Sequence, residues 1–209
     1  LRCGSICNYL ESWLTSDRPK NNKLLTDCLD MASKSLEIFS KSGDMLQYGI
    51  TYDALSFFPL CAFFRKDFLE RDRQVMKEVV EKGLQCGERA RAVFSEVGDK
   101  QRSASTYLTW ITCFMIFEWF FIEEPEEQDR HNSELMRHLS KLLELSQEIG
   151  DTAIAGMAHF WLGDNTSGDE SINHLNKTIT AYKKTRDKFM QATALDFMSN
   201  KIYWKAIME

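Results

Sequence analysis

Ser146-Gln-Glu-Ile-Gly-Asp-Thr-Ala-Ile-Ala-Gly156 is the stretch of sequence that decides the fold. Gly150 can adopt the left-handed conformation that closes a helix, and Asp151 can cap the next helix by accepting hydrogen bonds from its free N–H groups. Gly156 follows one and a half turns later, and its small size permits close packing against the preceding helix. This stretch therefore predicts a tight corner between two packed helices.

The same pattern recurs at three other places, residues 39–49, 94–104 and 182–192, which align with residues 146–156 without gaps. Every copy has an aspartate before its second helix and, five residues later, a glycine or an alanine. Three copies place glycine before the aspartate, whereas the fourth has Arg186, which adopts a left-handed conformation only at some conformational cost. We therefore expect a repeated helix–turn–helix corner, at Asp44, Asp99, Asp151 and Asp187.

Apolar residues recur at helical spacing along the chain, for example at Leu25, Cys28, Leu29, Ala32 and Leu36, and no alternating strand pattern of useful length is present. Together with the turn signals, this periodicity predicts about nine helices, near residues 5–15, 23–41, 45–66, 70–95, 100–122, 131–148, 152–163, 170–184 and 188–207. Pro59 is expected to kink the third of these helices or to end it early.

The repeated corner resembles the tetratricopeptide-repeat (TPR) superfamily, in particular divergent copies whose second helix ends in aromatic-x-x-x-Gly-Asp. Leu162-Gly163 matches the Leu-Gly pair of the family, and Tyr52 and Tyr107 match its first large aromatic residue. The resemblance extends roughly from residue 24 to residue 207. The chain departs from the standard unit of about 34 residues, because its corner aspartates lie 55, 52 and 36 residues apart.

This resemblance implies an all-α fold, a right-handed superhelical array of antiparallel helix pairs that forms a TPR-like α-solenoid. It implies one domain over residues 1–209, with units around 24–66, 70–122, 131–163 and 170–207. Leu1 is not an initiator methionine, and the sequence ends inside the apolar run from Ile202 to Met208. We therefore expect this chain to be a fragment of a longer protein.

Composition and charge restrict the class of protein. The chain is 44% hydrophobic with only 3 prolines, which excludes disorder and collagen, and its 26 basic against 31 acidic residues argue against general nucleic-acid binding. The most apolar stretch, residues 107–122, falls short of the ~20 residues that span a bilayer, so no membrane contact is expected. Six cysteines without a Cys-x-x-Cys pair predict free thiols and a reducing, cytoplasmic location.

Motifs for catalysis or for cofactor and metal binding are not found. The sequence has no phosphate loop, no dinucleotide fingerprint, no His-Glu-x-x-His and no nucleophile elbow, and its four histidines lack ligand spacing. Glu134 and His138 lie one helical turn apart, which a solvated surface pair explains as well as a functional one. The acidic residues between Glu123 and Asp129 indicate a solvated linker. We therefore expect no cofactor and no metal.

In the TPR register, the first helix of each unit lines a concave face. The leading hypothesis is a non-enzymatic protein-interaction scaffold that binds a peptide or a partner domain on this face, with basic residues on the partner complementing its acids. An equally open alternative is that these acids only keep the surface soluble. The candidate groove residues are Asp53, Phe57, Leu108, Thr112, Phe160, Asp164, Asp196 and Asn200.

Two other functions remain open. Divergent Gly-Asp repeats resemble those beside nucleotide-switch ATPase or cyclase domains, so the chain could be the ligand-sensing arm of a larger multidomain signalling regulator. An enzyme acting on a small molecule is the least favoured class. It would require a pocket in which His159 or His138 lies beside buried carboxylates.

Overall fold

The computed structural model describes residues 18–63 and 73–208, and within these two ranges the chain forms α-helices and no β-strand. The all-α prediction is therefore confirmed, with eight helices in the described ranges against about nine expected along the whole chain. The first expected helix, at residues 5–15, lies outside the described residues. In chain order the helices are α1 Arg18–Ser42, α2 Met45–Phe63, α3 Arg73–Glu96, α4 Lys100–Phe121, α5 Pro125–Ile149, α6 Thr152–Asn165, α7 Gly168–Thr185 and α8 Lys188–Met208.

The helices belong to two compact units, one ending at Asp99 and the other beginning at Lys100. In the first unit, α2 packs against both α1 and α3. In the second unit, each helix from α4 to α8 packs against the next, and α4 also contacts α6. Helices that pack consecutively in this way form a helical-repeat array within each unit, whereas the right-handed sense of a superhelix remains a prediction.

All the corner residues identified in the sequence adopt the left-handed conformation. The backbone φ angle is 71° at Gly43, 76° at Gly98, 71° at Gly150 and 60° at Arg186. Arg186 is the sole residue other than glycine with a positive φ in the described ranges. The corner prediction is therefore confirmed, including the strained fourth copy.

The corner aspartates close one helix and start the next. The N–H group of each donates to the carbonyl oxygen five residues earlier, which satisfies a free carbonyl at the helix end. The carboxylate of Asp151 accepts from the N–H groups of Ala153 and Ile154, both at 2.9 Å. Asp44 and Asp187 accept in the same way from Gln47 at 3.1 Å and from Met190 at 3.0 Å. The carbonyl acceptors belong to Phe39, Phe94, Ser146 and Tyr182.

At Gly49 and Gly156, the small residue after the corner packs against the following helix, so at these two positions the expectation of contact with the preceding helix was wrong. A Cβ atom at Gly49 would lie 2.9 Å from Phe94 of α3, and one at Gly156 would lie 3.0 Å from Ala181 of α7. In both pairs, the start of one helix meets the end of the next, as antiparallel packing requires. Close packing therefore stabilises the hairpin that follows the corner.

Pro59 does not end α2, which continues as a helix to Phe63. The proline ring faces Gly83 of α3, and a Cβ atom at Gly83 would overlap with it. Glycine therefore leaves room on α3 for a rigid side chain on α2.

Helix α5 begins at Pro125, six residues before the expected start, so much of the predicted acidic linker is helical. Proline suits the first position of a helix because its missing N–H group would have no intrahelical acceptor there. Glu126 and Glu127 lie in the first turn, where carboxylates interact favourably with the positive end of the helix dipole. The acidic residues thus start a helix rather than extend a loop.

The apolar stretch at residues 107–122 forms most of α4, which is a buried helix as expected. Even Glu118 is only 7% exposed, and its Oε2 atom has no hydrogen-bond partner within the described ranges. Burial raises the pKa of the Glu118 carboxyl, because the charged form is disfavoured away from water. Among the described helices, none is long and apolar enough to cross a membrane.

The strained fourth corner can be tested against an unstrained one. Gly98→Val places a β-branched residue at positive φ, and we expect it to lower the free energy of unfolding by about 1–2 kcal/mol. Arg186→Gly removes strain and is expected to raise that free energy by up to about 1 kcal/mol, offset in part by the entropy of the unfolded chain. Urea unfolding measures both, and equal midpoints for the two variants would contradict the corner assignment.

The contact between α2 and α3 gives a second prediction. Gly83→Ala adds a methyl group where the ring of Pro59 leaves no space, and we expect a loss of about 1–3 kcal/mol in the free energy of unfolding. Ala92→Gly is the control on the exposed face of the same helix and should cost about 1 kcal/mol from helix propensity alone. Thermal unfolding of both variants measures the difference, and a Gly83→Ala variant as stable as the wild type would show that the two helices are not in close contact.

Candidate functional site

The predicted groove residues of the first unit lie on one face of α2. Asp53 is half-buried and Phe57, one helical turn later, is 49% exposed. The carbonyl oxygen of Asp53 accepts a hydrogen bond from the hydroxyl of Ser56 at 2.7 Å. This face of α2 therefore presents a carboxylate beside an accessible aromatic ring.

The predicted groove residues of α4 are half-buried. The hydroxyl group of Thr112 donates to the carbonyl oxygen of Leu108 at 2.9 Å. This hydrogen bond within the helix occupies the donor of Thr112. Leu108 and Thr112 thus offer a partner mainly apolar surface.

Helix α6 places its two predicted residues in different surroundings. Phe160 is only 4% exposed and packs with Leu175, Ile179 and Ala194 in the core of the second unit. It therefore supports the core and cannot line an open groove, contrary to the expectation from the TPR register. Phe160 is buried because α6 packs against α4, α5 and α7 in this unit.

Asp164, the second predicted residue of α6, is half-buried next to Lys201 of α8. Burial raises the pKa of the Asp164 carboxyl, and the positive charge of Lys201 opposes this effect in part. The ammonium group of Lys201 donates to the carbonyl oxygens of Asp164 at 2.6 Å and Thr166 at 3.2 Å. The ammonium group of Lys201 therefore already lies close to Asp164.

Helix α8 carries the remaining predicted residues and an apolar surface that sequence reasoning missed. Asp196 and Asn200 are exposed one helical turn apart. Large apolar side chains are exposed above, below and beside them, and we call this set the α8 surface. Its members are Phe189 (76% exposed), Leu195 (49%), Ile202 (47%), Tyr203 (61%), Trp204 (61%) and Ile207 (54%).

The corner register explains why α8 is exposed. Ala104 on α4 and Gly156 on α6 are buried, Gly156 against Ala181 and Tyr182 of the following helix, whereas the equivalent Ala192 on α8 is exposed. Eight residues after the corner aspartate, Tyr107 is 1% exposed but Leu195 is 49% exposed. Four members of the α8 surface, Leu195, Ile202, Tyr203 and Trp204, thus lie at register positions whose equivalents on α4 are buried; these equivalents are Tyr107, Phe114, Met115 and Ile116.

Two histidines that lie 15 residues apart form a pair between α6 and α7. The Nδ1 atoms of His159 and His174 are 3.0 Å apart and share a hydrogen bond, which requires one imidazole to donate and the other to accept. Burial, His174 and Lys177 lower the pKa of His159 to about 4. Burial first, and Lys177 second, lower the pKa of His174, while Glu170 opposes them. The pair is therefore uncharged at neutral pH.

A third histidine, His138, lies among aromatic rings between α4 and α5. His138 shares a hydrogen bond of 2.6 Å with the buried hydroxyl of Tyr107, and the centroid of its ring lies 4.5 Å from that of Trp110, with the two rings tilted by 56°. Its Nε2 atom lies 3.4 Å from Glu134, whose side chain is 47% exposed. The enzyme hypothesis requires a buried carboxylate, but the carboxylate beside His138 is half-exposed and the partner of His159 is an imidazole.

Metal ligation requires several convergent donors. Within residues 18–63 and 73–208, no group of three or more histidine, cysteine or acidic side chains is arranged to hold an ion. Cys28, Cys86 and Cys113 are free thiols, and burial raises the pKa of Cys28 and of Cys86.

Comparisons with known proteins do not identify a family for this chain. No protein-family model matches the sequence, and no curated protein matches it. Among solved structures, the DHF58 filament is similar over 97% of this chain and 89% of its own, with 14% identity and a TM-score of 0.48. The de novo designed helical repeat protein DHR64 is similar over 97% of this chain and 90% of its own, with 15% identity and a TM-score of 0.40. TM-scores below 0.5 do not establish a shared fold.

The histidine pair makes stability dependent on pH. The unfolded chain binds a proton at His159 near pH 6.5, whereas the folded chain does so only near pH 4, so stability is complete above pH 6.5 and falls as the pH drops towards 4. Because His159 is only partly buried, we expect the wild type to lose roughly 1–2 kcal/mol more than a His159→Gln variant between about pH 7 and pH 4.5. Urea unfolding at a series of pH values measures this difference, and parallel pH profiles would contradict it.

Proposed function

We propose that this protein is a non-enzymatic interaction scaffold with TPR-like helical repeats, and that it binds an amphipathic segment of a partner protein on the α8 surface. The observation that carries the proposal is the exposure of large apolar side chains on one helix, among them Phe189 at 76% and Trp204 at 61%. Contiguous apolar surface that is exposed and bordered by polar residues is typical of protein-interaction sites. Tyrosine and tryptophan are also the residue types that contribute most to binding energy at interfaces.

The register of the repeats supports a helical or extended segment as the bound element. Leu195, Ile202, Tyr203 and Trp204 of the α8 surface occupy register positions whose equivalents on α4 are buried within the second unit. Ala192 and Ser199 provide small side chains on this surface, and small residues allow a backbone to approach closely. A partner with an apolar stripe at helical spacing would bury these positions as α5 and α7 bury theirs.

Charge indicates which polar residues the partner carries. Lys201 is engaged with backbone carbonyls of α6, and Lys205 forms an ion pair with Asp169 at 2.7 Å. Asp196 is exposed among the apolar side chains of the α8 surface. A basic residue on the partner would complement Asp196 and orient the bound segment.

We further propose that the repeats of this chain are TPR-like. The left-handed corners recur in the register of the family, and Gly163 of the Leu162-Gly163 pair approaches Leu175 so closely that a Cβ atom there would lie 2.8 Å from its Cγ atom. The free thiols of Cys28 and Cys113 are compatible with the proposed cytoplasmic location.

Peptide selection tests the scaffold proposal. A displayed library of amphipathic peptides is selected against the wild-type protein, and fluorescence anisotropy measures the affinity of the enriched peptides. We expect enriched peptides to carry a basic residue beside an apolar stripe. We expect Tyr203→Ser combined with Trp204→Ser to weaken binding by about tenfold or more, because truncating an aromatic anchor costs about 2 kcal/mol.

An exposed apolar residue of the first unit provides the matched control. Ile38 is 50% exposed on α1, so Ile38→Ser removes exposed apolar area away from the α8 surface and should leave peptide affinity unchanged. Circular dichroism confirms that each variant retains its helices. Peptides that bind the double variant as tightly as the wild type, or a library without enrichment, would contradict the proposal.

A further inference from the structure

The second unit contains a cavity that the proposed scaffold function does not use. Its volume is about 320 Å³, near the lower end of the range of about 300–1,000 Å³ for small-molecule pockets. The carboxyl end of α5 and the first turns of α6 form one side, and a stripe of α7 forms the other. Ala155 of α6 and Ala181 of α7 provide an apolar wall.

Two lysines of α7 give the cavity a positive charge. Lys177 and Lys184 both line it and lie two helical turns apart, about 10 Å along the helix axis, with Thr180 and Ala181 between them. Within residues 18–63 and 73–208, neither ammonium group has a hydrogen bond or an ion pair with another residue. Both charges therefore remain available to a ligand.

The carboxylate that lines the same cavity is already engaged elsewhere. Asp151 accepts from the N–H groups of Ala153 and Ile154, and the side-chain amide of Gln101 donates to it at 2.6 Å. Burial acts to raise the pKa of Asp151, but these hydrogen bonds outweigh it and hold the pKa below its usual range. The negative charge of Asp151 is thus stabilised by the start of α6 and does not depend on the lysines.

His159 is a further titratable group of the cavity, and its pKa depends on the charge of Lys177. Its imidazole lines the cavity, with its Nδ1 atom bonded to His174, and the positive charge of Lys177 contributes to keeping it neutral. An anion beside Lys177 would offset that positive charge and favour protonation of His159. Asp151 and Lys184 are the other charged groups of the cavity, and Glu170 acts on His174.

We propose that this cavity binds a small phosphate monoester, with Lys177 and Lys184 holding the phosphate group and Ala155 and Ala181 packing against its organic part. Lysine is a flexible point charge that serves widely as a phosphate ligand in proteins. A cavity of about 320 Å³ leaves room beyond the phosphate group for a short carbon skeleton. The site would give the scaffold a small-molecule ligand independent of its α8 surface.

Titration with glycerol 3-phosphate, monitored by NMR of the histidine side chains and by isothermal calorimetry, tests this proposal. We expect saturable binding and a rise of the His159 pKa in the bound protein. We expect Lys177→Gln and Lys184→Gln each to weaken binding by about tenfold, since each variant removes one charge-assisted hydrogen bond to the phosphate group. Lys183→Gln is the control, because Lys183 is an exposed lysine of the same helix that does not line the cavity, and it should leave the affinity unchanged.

Three further ligands show which parts of glycerol 3-phosphate the cavity recognises. Glycerol should not bind, and inorganic phosphate and succinate should bind more weakly than glycerol 3-phosphate. Inorganic phosphate of equal affinity would overturn the role of the apolar wall, and succinate of equal affinity would overturn the preference for phosphate. Absence of saturation at about 10 mM glycerol 3-phosphate, or equal losses in all three lysine variants, would overturn the site as a whole. Peptide binding at the α8 surface is a separate measurement, so either proposal can fail alone.

Discussion

The helix-to-helix corner is the constraint on which the rest of this structure depends. A residue at positive φ ends one helix, and the next residue, an aspartate, caps the following helix with its carboxylate. Within each unit, the connection restricts the direction of the second helix, because both hydrogen bonds and backbone angles are fixed within a few residues. The same backbone geometry recurs at Asp44, Asp99, Asp151 and Asp187. The carboxylate cap is present at Asp44, Asp151 and Asp187, so a local rule sets how helices within each unit connect.

Several consequences follow from the corner geometry. The small residues Gly49 and Gly156, five residues after their corner aspartates, pack against the end of the helix that follows. The corner at Gly150 and Asp151 lines one side of the cavity, and the packing of α6 against α7 brings His159 and His174 together. Where no helix follows in the described residues, on α8, the same geometry leaves apolar side chains exposed.

Local signals made the fold predictable to a large extent. The corners depend on glycine, aspartate and their spacing, and these can be read directly from residues 146–156 and the aligned copies. The sequence pattern predicts the start of α5 six residues too late, because a run of glutamates is typical of a linker. Carboxylates are nevertheless favourable in the first turn of a helix, where Glu126 and Glu127 lie. The passage of α2 through Pro59 could not be predicted, since it depends on the space that Gly83 leaves on another helix.

The candidate sites were less predictable because exposure and pairing are tertiary properties. Asp196 and Asn200 are exposed as a groove position requires, but Phe160 has the same helical spacing and belongs to the core. No sequence signal marks the His159–His174 pair, since its members lie on different helices and meet only through packing. The α8 surface was visible in the sequence as an apolar run, yet the run alone does not show which side chains a neighbouring helix covers.

Replacement of Gly150 by the two enantiomers of alanine tests the corner most directly. A Cβ atom built at Gly150 meets nothing within 4 Å, so L-alanine probes the backbone conformation alone. The left-handed φ of 71° predicts that D-alanine, introduced by protein semisynthesis, raises the free energy of unfolding relative to glycine, and that L-alanine lowers it by about 1 kcal/mol. A protein with L-alanine that is as stable as the protein with D-alanine would contradict the account.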